Sequence, residues 1–179
     1  VNGTPLDPAL SQDAVDQLLR GEVKEGSGVE ITVTRAEGGA DFTVFIPFAV
    51  INVPSVTWRV LTEDERIGYV QVLRFTARTP DELTTAFTDL RAANITALVL
   101  DLRNNTGGLL QESIQVADQF IDTGAIVYQR DRNGERTFEG TSGGGMIDLP
   151  MLVLVNNMTA SGAELVAGAL RDSGRAVLI

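Results

Sequence analysis

The sequence predicts an α/β protein with a largely parallel sheet, preceded by a small β-rich module. Three observations carry this. From residue 67 onward, short apolar runs alternate with stretches of helical period, the pattern of βαβ units. Ala97–Leu100 (ALVL) is a continuous apolar run, as expected of a strand covered on both faces. Residues 151–172 (MLVLVNNMTASGAELVAGALRD) read as strand, small-residue turn and helix.

Taken in order, Val1-Asn2-Gly3 reads as a turn with no strand before it. Ser11–Arg20 has the period of a short amphipathic helix, with Ser11 as N-cap and Ala14, Val15, Leu18 and Leu19 facing inward. After a charged loop over 21–28, VEITVTR (29–35) alternates like a half-buried strand. Glu37-Gly38-Gly39 turns the chain into FTVFIPFAV (42–50), where Pro47 marks an edge or a break. Residues 1–50 thus read as the later part of a β-rich module and residues 51–179 as the α/β unit.

In that second unit IGYVQVL (67–73) is a strand. Thr79-Pro80-Asp81-Glu82 opens a helix with Thr79 as cap and Glu82 completing a capping box. Leu83, Ala86, Phe87 and Leu90 give it a buried face. ALVL runs into the polar loop 101–108, which ends in Gly107-Gly108. A helix over 109–121 is expected to bury Leu110, Ile114, Ala117 and Ile121. Asn133-Gly134 signals a hairpin between 125–129 and 136–139, and Gly140–Gly145 reads as a mobile loop. RAVLI (175–179) begins a further strand. A chain that opens on an unpaired turn and closes on an apolar strand is expected to be truncated at both ends.

Composition limits the chemistry. Of 179 residues 44% are hydrophobic, enough for a core, and 14 Lys+Arg against 24 Asp+Glu give a net charge of −10, which carries no basic footprint for nucleic acid. With no cysteine and no histidine, disulfides, thiolate or imidazole metal sites and a Ser-His-Asp triad are excluded within this chain. No metal or cofactor is expected. Lys24 is the only lysine, so it and the carboxylates are the conventional side-chain bases present.

Ser161 is the first candidate. It stands where a strand-to-helix turn lifts a side chain off a sheet, with the Gly162 N–H beside it. Ser161 and Glu164 also spell S-x-x-E, so on local pattern alone Ser161 simply caps a helix. Gly107-Gly108 could present backbone N–H groups to an oxyanion, or merely supply unusual dihedrals. Asp172 reads as a site carboxylate or a solvated helix end, and Asp101 as a strand-end site residue or a partner of Arg103.

Several stretches together are specific: VNGTPL with DAVDQLLRG, IGYVQVLRF, LVLDLRNNTGG, VADQFIDTG and LVLVNNMTASGAELVAGALRDSGRAVLI. In that order they resemble the C-terminal processing peptidases, or tail-specific proteases, of the S41 serine peptidase family. The resemblance implies a PDZ domain, of which 1–50 would be the back part, followed by a ClpP/crotonase-like protease core over 51–179. It implies Ser161 as nucleophile, Gly107 and Gly162 as oxyanion donors and Asp172 as a possible auxiliary. Gly162 stands where the motif usually has Ala, and Thr106 replaces a common Pro. The general base it implies is a lysine downstream of RAVLI, which Lys24 does not match. This chain by itself is therefore expected to be inactive. The resemblance further implies protein or peptide substrates taken through their C-termini, action outside the cytoplasm in periplasm or cell envelope, and a possible homo-oligomer through an unpaired strand edge. A ligand- or peptide-binding protein on the same scaffold, like the retinoid-binding proteins of the photoreceptor matrix, is the alternative.

Overall fold

A computed structural model describes residues 1–21, 24, 26–35, 39–132, 134–146 and 148–179. The turns expected at Glu37-Gly38-Gly39 and Asn133-Gly134 lie in part outside the described residues, because Glu37, Gly38 and Asn133 do. The chain divides into two units, Val1–Val53 and Pro54–Ile179.

The first unit has one helix, α1 (Gln12–Leu19), and two strands, β1 (Gly28–Val33) and β2 (Phe42–Pro47). Ser11 caps α1 as expected, its hydroxyl accepting the Ala14 N–H at 3.3 Å. The strands pair antiparallel from Gly28↔Pro47 to Val33↔Phe42. β2 stops at Pro47 instead of reaching Val50, since proline has no N–H with which to continue a ladder. No α1 residue is buried, and Leu18, expected to face inward, is 43% exposed. One helix and a two-stranded ribbon bring too few side chains together to close a core; Val29 is the single buried apolar residue described in this unit.

The second unit holds β3 (Val56–Val60), β4 (Ile67–Val72), α2 (Thr79–Ala92), β5 (Ala97–Asp101), α3 (Leu110–Asp118), β6 (Ala125–Asp131), β7 (Gly134–Glu139), β8 (Met151–Leu154), α4 (Gly162–Asp172) and β9 (Val177–Leu178). Five strands form a sheet in the order β3-β4-β5-β8-β9, parallel throughout except for the β3–β4 pair. The β6–β7 hairpin stands as a separate ribbon.

The parallel strands follow one another in one direction across the sheet. Right-handed crossovers then put every connecting helix on the same face. Val70, Leu98, Leu100 and Val153 meet Leu83, Phe87, Ile114, Val166 and Leu170 there in one core. On the opposite face, Tyr69, Val99, Leu152 and Val177 lie in register, and Leu152 and Val177 are 38% and 64% exposed. ALVL is therefore buried on alternate residues and not on both faces, contrary to the expectation from its unbroken apolar run.

Two helix starts differ from the sequence reading. Glu82 does not close a capping box for α2; its carboxylate accepts from Ser55 N–H, Ser55 Oγ and Val56 N–H at 2.7, 2.7 and 3.0 Å, fixing the start of β3. Burial would raise its pKa, but these bonds outweigh it and hold the group below the usual carboxylate range. Thr79 lies within the helix, and its hydroxyl accepts the Thr76 N–H at 2.8 Å. In α3, Leu110 is 49% exposed; the buried face is Ser113, Ile114, Val116 and Ala117. The glycine loop after β7 is tied down. Arg91 donates to Gly145 O at 2.6 Å, and the Arg175 guanidinium donates to Met146 O and Leu149 O, both at 2.6 Å.

Candidate active site

β4, β5 and β8 run parallel and end side by side, so the segments leaving their C-terminal ends meet. That edge is where α/β sheets place their sites. Leu102 N–H donates to Leu154 O at 2.9 Å, and Phe75 N–H to Gly107 O at 3.1 Å, which carries the sheet pattern a little beyond the strands.

Ser161 is exposed and immediately precedes α4. An ordinary N-cap has extended backbone, as Ser11 does with φ −69° and ψ 157°. Ser161 has φ 54° and ψ −120°, a conformation that costs a residue bearing a Cβ about 1–3 kcal/mol. The S-x-x-E box is formed, and its strong half is Ser161 N–H donating to Glu164 Oε2 at 2.7 Å. The hydroxyl faces the Glu164 N–H without a full cap hydrogen bond. Glu164 thus fixes the backbone, and the hydroxyl projects from a strained strand-to-helix turn.

The glycine loop lies against this turn. A Cβ on Gly107 would fall 2.7 Å from Ser161 Cβ and 3.0 Å from Gly162 N. Gly107, at φ 97°, is therefore required both by its backbone and by the closeness of Ser161. Its N–H, however, already donates to Asn105 Oδ1 at 2.8 Å. Its C=O accepts from Phe75 on the β4 side. In a trans peptide the next N–H points the opposite way, so the Gly108 N–H points away from Phe75 and the β4 side. Gly107 is buried and Gly108 exposed. Among the described residues neither the Gly108 nor the Gly162 N–H has a hydrogen-bond acceptor. The expected pairing of Gly107 with Gly162 thus meets a physical obstacle, an amide already engaged, and the open amides beside Ser161 are those of Gly108 and Gly162.

Gly162 has its own reason to be glycine. A Cβ there would fall 2.2 Å from Ser113 Oγ, and Ser113 is fully buried with its hydroxyl donating to Leu109 O at 2.9 Å. Gly162→Ala is expected to destabilise the protein by about 1–3 kcal/mol through overpacking. Adding Ser113→Ala should recover most of that loss in thermal denaturation, whereas the same loss with serine or alanine at 113 would sever the link.

Asparagines bind the two segments together. Asn104 N–H donates to Asn156 Oδ1 and Asn156 Nδ2 returns to Asn104 Oδ1, both at 2.9 Å. Thr159 Oγ1 donates to Leu102 O at 2.9 Å. Asn104 adopts φ 61°, which asparagine tolerates. At the base of the loop Asp101 is fully buried and accepts from Tyr69 OH at 2.6 Å and from Arg103 Nη2 at 2.6 Å. It is thus the Arg103 partner foreseen as one of its two readings. Burial pushes its pKa up, but the bonds from Arg103 and Tyr69 outweigh this and hold it below the usual carboxylate range. A depressed pKa adds stability above the unfolded value, about 3.9, and that stability is lost as pH falls through the folded value. Stability should fall less steeply below about pH 4 in Asp101→Asn than in the unmodified protein; equal slopes in acid denaturation would remove Asp101 as the cause.

Asp172 is not brought to the site. It lies at the far end of α4 from Ser161, about 16 Å along a helix of that length, and pairs with Arg171 at 2.8 Å. Among the described residues there is no group of three or more His, Cys, Asp or Glu side chains able to hold a metal ion. Sequence reasoning missed Asn105, Asn156, Thr159 and Ser113. Only the polar run NNT before Gly107-Gly108 hinted at any of them.

A sequence model of peptidase family S41 matches residues 66–179. The carboxyl-terminal-processing protease of Picosynechococcus sp. is 38% identical over 159 residues, covering 87% of this chain and 38% of that protein. The carboxy-terminal-processing protease of Bartonella bacilliformis is 34% identical, covering 100% of this chain and 41% of that protein. Among solved structures, the photosystem II D1 C-terminal processing protease superposes with a TM-score of 0.64 at 30% identity, covering 99% of this chain and 48% of that one. The chain thus spans about two fifths of the length of these two curated relatives.

Proposed function

The chain belongs to peptidase family S41, and from that premise we propose that it carries the nucleophile and oxyanion hole of a serine endopeptidase that processes proteins near their C-termini. The observation that carries this is the backbone of Ser161, held at φ 54° and ψ −120° with Gly107 packed against its Cβ. A simple helix cap gains nothing from that conformation, and a binding protein on the same scaffold has no use for its cost.

The reaction is acyl transfer. Ser161 Oγ attacks the scissile carbonyl carbon as its proton passes to a neutral lysine, and the carbonyl oxygen takes up the negative charge. The Gly162 N–H and an amide of the Gly107-Gly108 pair, best placed at Gly108, receive that oxyanion. Collapse expels the amine, which takes the proton from the lysine. Water, activated by the same base, then releases the acyl group. The lysine is that of the family resemblance, and none of these 179 residues matches it. Residues 1–50 are read as the back part of a PDZ-like domain, which when whole takes the substrate's C-terminus, and the protein as acting outside the cytoplasm, in periplasm or cell envelope. The exposed end of β9 is read as an edge at which a second copy could pair.

The 179-residue chain alone is expected to show no peptide hydrolysis, while the protein expressed from its complete gene cleaves an unstructured peptide substrate in a Ser161-dependent manner. Ser161-dependent hydrolysis by the short chain would overturn the dyad. Its absence from the complete protein would overturn the peptidase reading.

A further inference from the structure

Asn105 has no exposed surface and uses every hydrogen-bonding group it has for an internal bond. Its Nδ2 donates to Val72 O, the last residue of β4, at 2.8 Å. Its Oδ1 accepts the Gly107 N–H at 2.8 Å. Its C=O accepts the Ala160 N–H at 2.9 Å, and its own N–H donates to Leu102 O at 3.2 Å. Ala160 immediately precedes Ser161. One side chain and its peptide groups therefore join the end of β4, the glycine loop and the residue before the serine.

We infer that Asn105 is a positioning residue for acyl transfer, setting the distance and orientation of the Gly108 N–H relative to Ser161. This rests on the peptidase reading given above. Asn105 acts in two ways. By accepting from Gly107 it ties that amide into the loop, so that the Gly107-Gly108 peptide presents its single free donor, the Gly108 N–H, away from the β4 side. By accepting from Ala160 it fixes how far that donor stands from the nucleophile's turn. An oxyanion donor must lie ~2.7–3.1 Å from where the charged oxygen will be, and a misplacement of ~1 Å can cost ~10²-fold. Asparagine suits the position because it offers a donor to Val72 and an acceptor to Gly107 at once. Aspartate keeps the acceptor but sets a second oxygen against Val72 O, and alanine supplies neither group.

Steady-state kinetics on a peptide substrate, with the protein expressed from its complete gene, test this. Asn105→Ala is expected to lower kcat ~10²-fold per folded molecule, with KM changed by less than ~3-fold, because the hole acts on the transition state and not on the bound substrate. Asn105→Asp, which keeps the Gly107 bond, should lose less than Asn105→Ala. The folded fraction is taken from circular dichroism at the assay temperature, so a purely structural role would show as lost folded protein with kcat per folded molecule unchanged. That result, or equal kcat in all three proteins, overturns the inference. If Asn105→Ala does not fold, amide exchange on the unmodified protein decides: strong protection of Gly107 with rapid exchange at Gly108 supports it, and the reverse order overturns it. An unmodified complete protein without any hydrolysis overturns the peptidase reading instead.

Discussion

Replacing Ser161 with glycine should make the protein more stable and chemically inert. The serine sits at φ 54° and ψ −120°, where a Cβ costs about 1–3 kcal/mol and glycine almost nothing. Glycine adds about 0.5–1 kcal/mol of unfolded-chain entropy in the other direction. The expected balance is a gain of about 1 kcal/mol, or roughly 4 °C in melting temperature for a unit of this size. Ser161→Ala keeps the strain and should show no such gain. The sign separates the two readings of this residue. At an ordinary N-cap, Ser→Gly costs a few tenths of a kcal/mol and Ser→Ala about 1 kcal/mol. A Ser161→Gly protein that melts lower than the unmodified one would return Ser161 to the role of a simple cap.

The second large effect is expected at Gly108. A Cβ built there falls 2.1 Å from Phe75 O and 2.8 Å from both Phe75 C and Phe75 N. All three are backbone atoms, so nothing near can swing aside. Gly108→Ala must open the bridge in which Phe75 N–H donates to Gly107 O at 3.1 Å and Leu109 N–H donates to Phe75 O at 3.0 Å. Losing both bonds and overpacking the loop should cost about 3 kcal/mol or more. The displaced amide should also lower the rate of acylation by ~10²–10³-fold. Denaturant unfolding and single-turnover acylation check the two parts separately. A Gly108→Ala protein of unchanged stability and reactivity would place the oxyanion donor elsewhere.

Much of this arrangement was readable because its signals are local. The strand-turn-helix at 151–172, the order of βαβ units and the glycines at 107 and 108 all follow from short spacings. What was not readable depends on partners brought together from afar. Glu82 stands three residues after Thr79 and looks like a capping partner, yet one of its oxygens pairs with Arg78 and the other accepts from Ser55 and Val56, 27 and 26 residues away. ALVL has the composition of a doubly covered strand, but the handedness of three successive crossovers leaves one face open. Asn105 looked like part of a polar loop because its partner at Val72 lies 33 residues upstream. The sign of φ at Ser161 cannot be read from S-x-x-E, since a cap and a strained elbow share that spelling.

An activated nucleophile at Ser161 should react with a serine-directed electrophile. The most direct test is to incubate the protein expressed from its complete gene with a fluorophosphonate and locate the adduct by tandem mass spectrometry. One adduct is expected, on Ser161, lost in Ser161→Ala and in the unfolded protein. An unmodified Ser161 in folded protein, or a first adduct on any other serine, would contradict it.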